Sequence, residues 1–171
     1  MEKKSIDERF LAKTKPEKED IQEHTNNLLA NYRILKELYP NLCIDWDLLF
    51  LACIYHDLGK MNRKFQSKLR GRRDEAEIPH GLISLGFVDV DYLEEKGCSE
   101  KEISLLYQAI AYHHAREMPD SMDEVKSEIE DLEGIFSEFQ YDMLPTRTLN
   151  PDIDGAFMNQ EMVYIFIGMS C

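Results

Sequence analysis

Apolar side chains return at helical spacing along most of the chain, and proline, glycine and capping residues separate the periodic stretches. Over residues 21–39, Ile21, Leu28, Leu29, Tyr32, Leu35 and Leu38 follow that spacing, and Pro40-Asn41 ends the run. Asp45 is placed to cap a second helix, which runs through Trp46, Leu48, Leu49, Leu51, Ala52 and Ile54 to Leu58, with Gly59 as its stop. That helix is apolar nearly all round, which predicts a central position. A short basic helix over residues 61–69 follows, anchored by Phe65 and Leu69, and residues 71–77 read as an exposed loop. Pro79 suits the first turn of a helix holding His80, Leu82, Ile83, Leu85, Phe87 and Val88, with Gly86 tolerated inside it.

Gly97 closes this region, and Ser99-Glu100-Lys101-Glu102 forms a capping box. The helix it opens carries Ile103, Leu105, Leu106, Ala109, Ile110 and Tyr112 as its stripe and ends in His113-His114, before the break at Pro119. Residues 123–139 form a very acidic amphipathic helix with Val125, Ile129, Leu132, Ile135, Phe136 and Phe139 inward. After Pro145 and Pro151, an apolar helix begins at Met158 and reaches Cys171. The pattern predicts an all-α fold in one helical domain over residues 21–171. Residues 1–20, rich in Lys and Glu, read as a mobile or loosely packed arm.

A length of 171 residues suits one domain with its own core. No apolar run approaches the roughly 18 residues of a membrane span, which excludes a membrane protein. Cys43, Cys53, Cys98 and Cys171 lack C-x-x-C spacing, and the charged N-terminus shows no signal-peptide pattern, so a reducing, cytoplasmic setting is expected. The net charge of −13 argues against a nucleic-acid partner until its distribution is considered. Lys60, Arg63, Lys64, Lys68, Arg70, Arg72 and Arg73 fall within residues 60–73 without one acid, while acids gather in 89–102 and 118–142. The basic run is either a solvated helix and loop or a face that follows a phosphate backbone.

Candidate chemistry centres on Tyr55-His56-Asp57-Leu58-Gly59-Lys60. An imidazole and a carboxylate suit a divalent ion, and an ammonium beside them meets phosphate charge, which is the equipment of metal-assisted attack on a phosphoester. A His-Asp pair alone is also an ordinary structural unit. A buried helix ending in these residues must supply partners for both, because an unpaired buried charge is costly. The remaining histidines each have a bland reading too: His24 as an exposed or capping residue, His80 as an N-terminal helix residue, His113 and His114 as exposed residues favoured by the dipole at a helix C-terminus.

Together, the order single His, His-Asp, single His, His-His resembles the HD superfamily of metal-dependent phosphohydrolases, an all-helical fold. The closer resemblance is to the HD nuclease domain of type I CRISPR effector helicase-nucleases. It is carried by His56-Asp57-Leu58-Gly59-Lys60 with Phe65-Gln66, by Pro79-His80 with Ser84, and by Ala111-Tyr112-His113-His114, and spans His24 to His114. The resemblance implies His24, His56 and Asp57 as ligands of a first metal, and His80, His113 and His114 as ligands of a second, with Asp57 bridging. It implies Lys60 as the lysine facing the substrate phosphate. The cofactor is then one or two manganese, iron, cobalt, nickel or zinc ions, and the reaction is hydrolysis of phosphodiester bonds in single-stranded DNA. The expected partners are single-stranded DNA, a helicase region of the same parent polypeptide and a CRISPR RNA-guided complex. Arg63, Lys64, Lys68, Arg70, Arg72 and Arg73 would track the DNA backbone. With histidines as ligands, metal binding is expected to fall below about pH 6, and stoichiometric binding retained at about pH 5 in a calorimetric titration would contradict histidine ligation.

The family pattern carries a further metal-binding Asp on a late helix, after an apolar stretch similar to Tyr164-Ile165-Phe166-Ile167-Gly168-Met169, and no such Asp precedes Cys171. Asp152 and Asp154 lie upstream of that helix. Either the chain is a fragment cut short of this ligand or the site is completed differently. The fragment is preferred, because an apolar helix without a stop signal is an exposed liability, and the first metal position is then expected to be weak or empty. Two other functions stay open: an HD phosphohydrolase of nucleotides or small phosphoesters, and a non-catalytic helical interaction module that docks through residues 120–142.

Overall fold

The computed structural model describes residues 10–72, 78–114, 121–136, 146 and 148–153. It is mostly helical, as the periodicity predicts, with one small addition. Strands β1 (Leu11–Lys13) and β2 (Glu19–Asp20) pair antiparallel, Leu11 opposite Asp20. Leu11 and Ala12 are buried and the Ile21 N–H donates to the Phe10 carbonyl, so residues 10–20 pack on the domain instead of standing off as a loose arm. Periodicity misses this pair because two very short strands carry too few residues to show an alternation.

Helix α1 (Ile21–Leu38) starts at a capping box in which the Asp20 side chain accepts from the Glu23 N–H and the Glu23 side chain from the Asp20 N–H. Its inner face buries Ile21, Thr25, Leu29 and Tyr32. Leu35 and Leu38, expected on the same stripe, are exposed together with Ile34 and Tyr39. The cause is length. At about 1.5 Å per residue, the 18 residues of α1 outrun the 10 of its neighbour α2 (Trp46–Tyr55), and the last turns have nothing beneath them among the described residues.

Asp45 caps α2 as expected, its side chain accepting from Asp47 and Leu48 N–H groups. The helix, however, stops at Tyr55 instead of running to Leu58, and a tighter 3-10 turn, Leu58–Met61, follows it. Gly59 is therefore not a left-handed helix stop: positive φ occurs, among the described residues, at Gly71 and Gly97. A Cβ on Gly59 would lie 2.1 Å from the His80 carbonyl oxygen, so its role is to let two backbones touch. Asn62 then caps α3 (Arg63–Leu69).

The helix expected to hold His80 through Val88 is divided into α4 (His80–Ser84) and a 3-10 turn, Leu85–Phe87, before Asp89 caps a separate α5 (Val90–Glu95). Helix α6 (Glu100–Ala111) begins at the predicted capping box on Ser99. The acidic helix is α7 (Met122–Glu130) with a short α8 (Glu133–Phe136), and Val125, Ile129 and Leu132 are buried as expected. Residues 137–139 of that helix and the apolar segment 158–171 lie outside the described residues, as does Asp154. Among the described residues, no helix is long and apolar enough to cross a membrane.

The main core runs through Ile21, Tyr55, Leu58, Leu82, Phe87, Leu106, Ile110 and Ile129, and a smaller cluster of Leu29, Cys53 and Ile54 packs between α1 and α2. Gln66 ties the strand pair to it. Its Oε1 accepts from the Leu11 N–H at 3.0 Å, and its Nε2 donates to the carbonyls of Leu11 at 2.8 Å and Lys60 at 2.7 Å. Gln66→Leu would leave these buried backbone groups unpaired, and a loss of at least about 2 kcal/mol is expected in urea denaturation.

Candidate metal centre

Four segments bring imidazoles to one carboxylate. Asp57 follows α2 directly, is 1% exposed and receives histidines on both oxygens. His24, from the second turn of α1, and His56, at the end of α2, each place Nε2 3.2 Å from Oδ2. His80, at the start of α4, places Nε2 3.1 Å from Oδ1, and His113, just past α6, places Nε2 3.5 Å from it. His114 is exposed, with its ring centroid 4.2 Å from that of His113 and 5.3 Å from that of His80. Two groups able to hold an ion result, His24-His56-Asp57 and Asp57-His80-His113-His114, and they share Asp57.

The far side of three rings decides what the near side can do. His56 Nδ1 is 2.9 Å from the Cys53 carbonyl, His113 Nδ1 is 2.7 Å from the Ile110 carbonyl, and His24 Nδ1 is 3.1 Å from the Glu19 carboxylate. Each partner only accepts, so each Nδ1 donates, and in the neutral ring the lone pair lies on Nε2, facing Asp57. His80 Nε2 and His113 Nε2 are also 3.2 Å apart. Asp57 Oδ1 is buried and accepts no hydrogen bond of normal geometry. Acceptors facing acceptors in a buried pocket need a proton or a cation between them. The donor set, imidazole nitrogens with one carboxylate, fits a divalent transition ion.

Burial opposes ionisation of Asp57, but the surrounding imidazoles of His113, His56 and His80 outweigh it and hold its carboxyl far below the usual range. Burial lowers the pKa of His80, and burial with the charge of His113 lowers that of His114, which favours the neutral rings that ligate. Burial likewise opposes the charge on Glu19, yet Lys13, His24 and Asn27 hold its carboxyl at about 2. Lys60 turns onto the Asp57 carboxylate, with Nζ 2.8 Å from Oδ2 and 5.6 Å from the centroid of the Phe65 ring.

Glycines let the histidine-bearing segments close up. Gly59, two residues past Asp57, abuts the His80 carbonyl, and Gly81, next to His80, would put a Cβ 2.6 Å from the Ala111 carbonyl oxygen and 2.7 Å from that of Ile110. Buried Ser84 locks the same junction, its Oγ accepting from the Gly59 N–H at 2.8 Å and donating to the His56 carbonyl at 2.9 Å.

The basic segment is only partly an open face. Arg63, Lys68, Arg70 and Arg72 are exposed, while Lys64 pairs with Glu128 of α7 at 2.7 Å and Asn62 bonds the same carboxylate. Arg73 lies outside the described residues. Asp152 pairs with Lys126 at 3.1 Å, away from the histidines. Glu19 is the site residue that the sequence reading misses, since a carboxylate on a preceding strand has no helical register with His24. The Cys53 and Ile110 bonds had a signal: a histidine just past a helix meets carbonyls left unpaired in its last turn.

A mostly helical domain with a buried His-Asp dyad ringed by histidines from other helices defines the class of metal-dependent HD hydrolases. The family model for the Cas3 HD domain matches residues 13–150, and the chain belongs to that family, the HD-domain nucleases of CRISPR defence. No curated protein and no solved structure matches the chain.

Proposed function

We propose that this chain hydrolyses phosphodiester bonds in single-stranded DNA. The observation that carries the reading is Asp57, with Nε2 atoms of His24 and His56 on one oxygen and of His80 and His113 on the other. In this reading His24, His56 and Asp57 would hold one ion, and His80, His113 and His114, with the shared Asp57, would hold a second. Manganese, iron, cobalt, nickel and zinc suit these ligands. When bound, such ions supply Lewis-acid charge to the phosphate and lower the pKa of the attacking water.

The chain's own groups do the rest. The last-turn carbonyls and Glu19 keep the ligating nitrogens aimed inward. Lys60 offers an ammonium beside the reacting phosphate, held in place by Asp57. Arg63, Lys68, Arg70 and Arg72 extend positive charge along the strand, a sequence-independent mode of binding, and Lys64 and Arg73 belong to the same run. The helicase region of a common polypeptide and a CRISPR RNA-guided complex are the proposed partners, since they would deliver a displaced single strand.

Degradation of circular single-stranded DNA in the presence of manganese, cobalt or nickel, with nucleotides left intact, is the expected result. Hydrolysis of nucleotides with the polynucleotide untouched would replace this reading by a small-molecule phosphohydrolase, and absence of metal uptake by elemental analysis would replace it by an interaction module.

A further inference from the structure

We propose that Glu19 is a positioning residue for the His24 ligand, an inference that rests on the metal reading above. Its side chain is 11% exposed, and Oε2 lies 3.1 Å from His24 Nδ1. Lys13 Nζ holds the same oxygen at 2.6 Å, and Asn27 Nδ2 donates to the other oxygen at 2.5 Å. The carboxylate is therefore gripped from β1 and from α1 and cannot swing away without breaking both contacts.

Among the three rings whose Nδ1 partner is defined, His24 alone has a charged one. His56 and His113 bond main-chain carbonyls of their own helices, which come with the helix end. His24 projects from the second turn of α1, where no carbonyl of a finished helix turn is free to meet it, and its side chain is 31% exposed against 13% for His56 and 16% for His113. The most solvated ring is the one most able to rotate or to exchange its proton between nitrogens. A carboxylate fixes its tautomer and raises the basicity of Nε2 more than an amide carbonyl does. The strand pair thus serves as the mount for one ligand, Lys13 and Glu19 facing each other in it.

The test is titration of the metal-free full chain with cobalt, followed by calorimetry and visible absorption, for the wild type, Glu19→Gln and Glu19→Leu. Wild type binds at both groups, more weakly at the one containing His24, and uptake confined to the other group would overturn the role of Glu19 together with that first position. In Glu19→Gln, which keeps size and an acceptor oxygen, the affinity of the group containing His24 falls about 10- to 100-fold. Its absorption band shifts, and the other group keeps its affinity within about threefold; Glu19→Leu, if folded, shows the larger loss. Wild-type affinity and spectrum in both variants would overturn the role of Glu19 and leave the metal centre standing. An equal loss at both groups in Glu19→Gln would overturn it as well, by marking a general structural effect. No cobalt on the wild type would remove the metal reading and this inference with it.

Discussion

Replacing Asp57 with asparagine is expected to abolish cobalt uptake at both groups and to reduce cleavage of single-stranded DNA by about a thousandfold or more. Metal assistance is worth several kcal/mol at a phosphoryl centre, and about 1.4 kcal/mol corresponds to a factor of ten. Among the described residues no other side chain belongs to both groups, so no other single change among them should empty both. Loss of His80 or His113 should leave the group containing His24 measurable, and loss of His24 should leave the other. The same carboxylate balances Lys60, whose side chain is 10% exposed and whose Nζ is 2.8 Å away. Removing it strands a buried ammonium, at a cost of about 3–5 kcal/mol. Asp57→Asn combined with Lys60→Met should recover much of that stability without recovering metal uptake. Recovery of both in the double variant, or cobalt binding by Asp57→Asn alone, would show that Asp57 is not the shared ligand.

Gly59→Ala is the second large effect, and it acts through backbone. The added methyl would sit 2.1 Å from the His80 carbonyl oxygen and 2.8 Å from the Ser84 nitrogen, neither of which can swing aside as a flexible side chain would. Overpacking of this kind costs about 3 kcal/mol, which for a domain of this size is a fall of about 6–12 °C in Tm. The strain is relieved only by moving α4 away from the turn after Asp57, which opens the 3.1 Å approach of His80 to Asp57. Cobalt affinity should therefore fall at the group containing His80 more than at the group containing His24. Gly71→Ala supplies the comparison: its φ is +84° and nothing lies near it, so it should cost about 1 kcal/mol of backbone strain and leave metal uptake unchanged. Equal behaviour of the two variants would defeat the close-approach explanation.

The helices of this domain were legible because their signals are local. Asp45, Ser99 and the stripe on α7 each act within a few residues, and the structure realises all three. The histidines were legible as a set because each falls near an element boundary, where a side chain can leave the packed face. What escaped was non-local. Glu19 meets His24 through a strand pair too short to announce itself, and Gln66 reaches a partner 55 residues away. Gly59 was misread because a glycine after a helix ordinarily serves as its stop, and only the position of α4 reveals that close contact is its task. The break between α4 and α5 escaped for the same reason. Gly86 would press a Cβ to 2.5 Å from Ile129 of α7, so its place is set by a distant element.

The Gln66 clamp also bears on where the domain may be cut. A polypeptide started at Ile21 would look complete by helical periodicity and would retain all five histidines and Asp57. It would nevertheless lack the cap from Asp20, the Glu19 contact to His24 and the Leu11 groups that the Gln66 amide engages. Even the matched family region, which opens at residue 13, begins two positions after Leu11. Expression boundaries for this domain therefore belong upstream of Phe10, outside the limits that either helix prediction or family alignment would suggest.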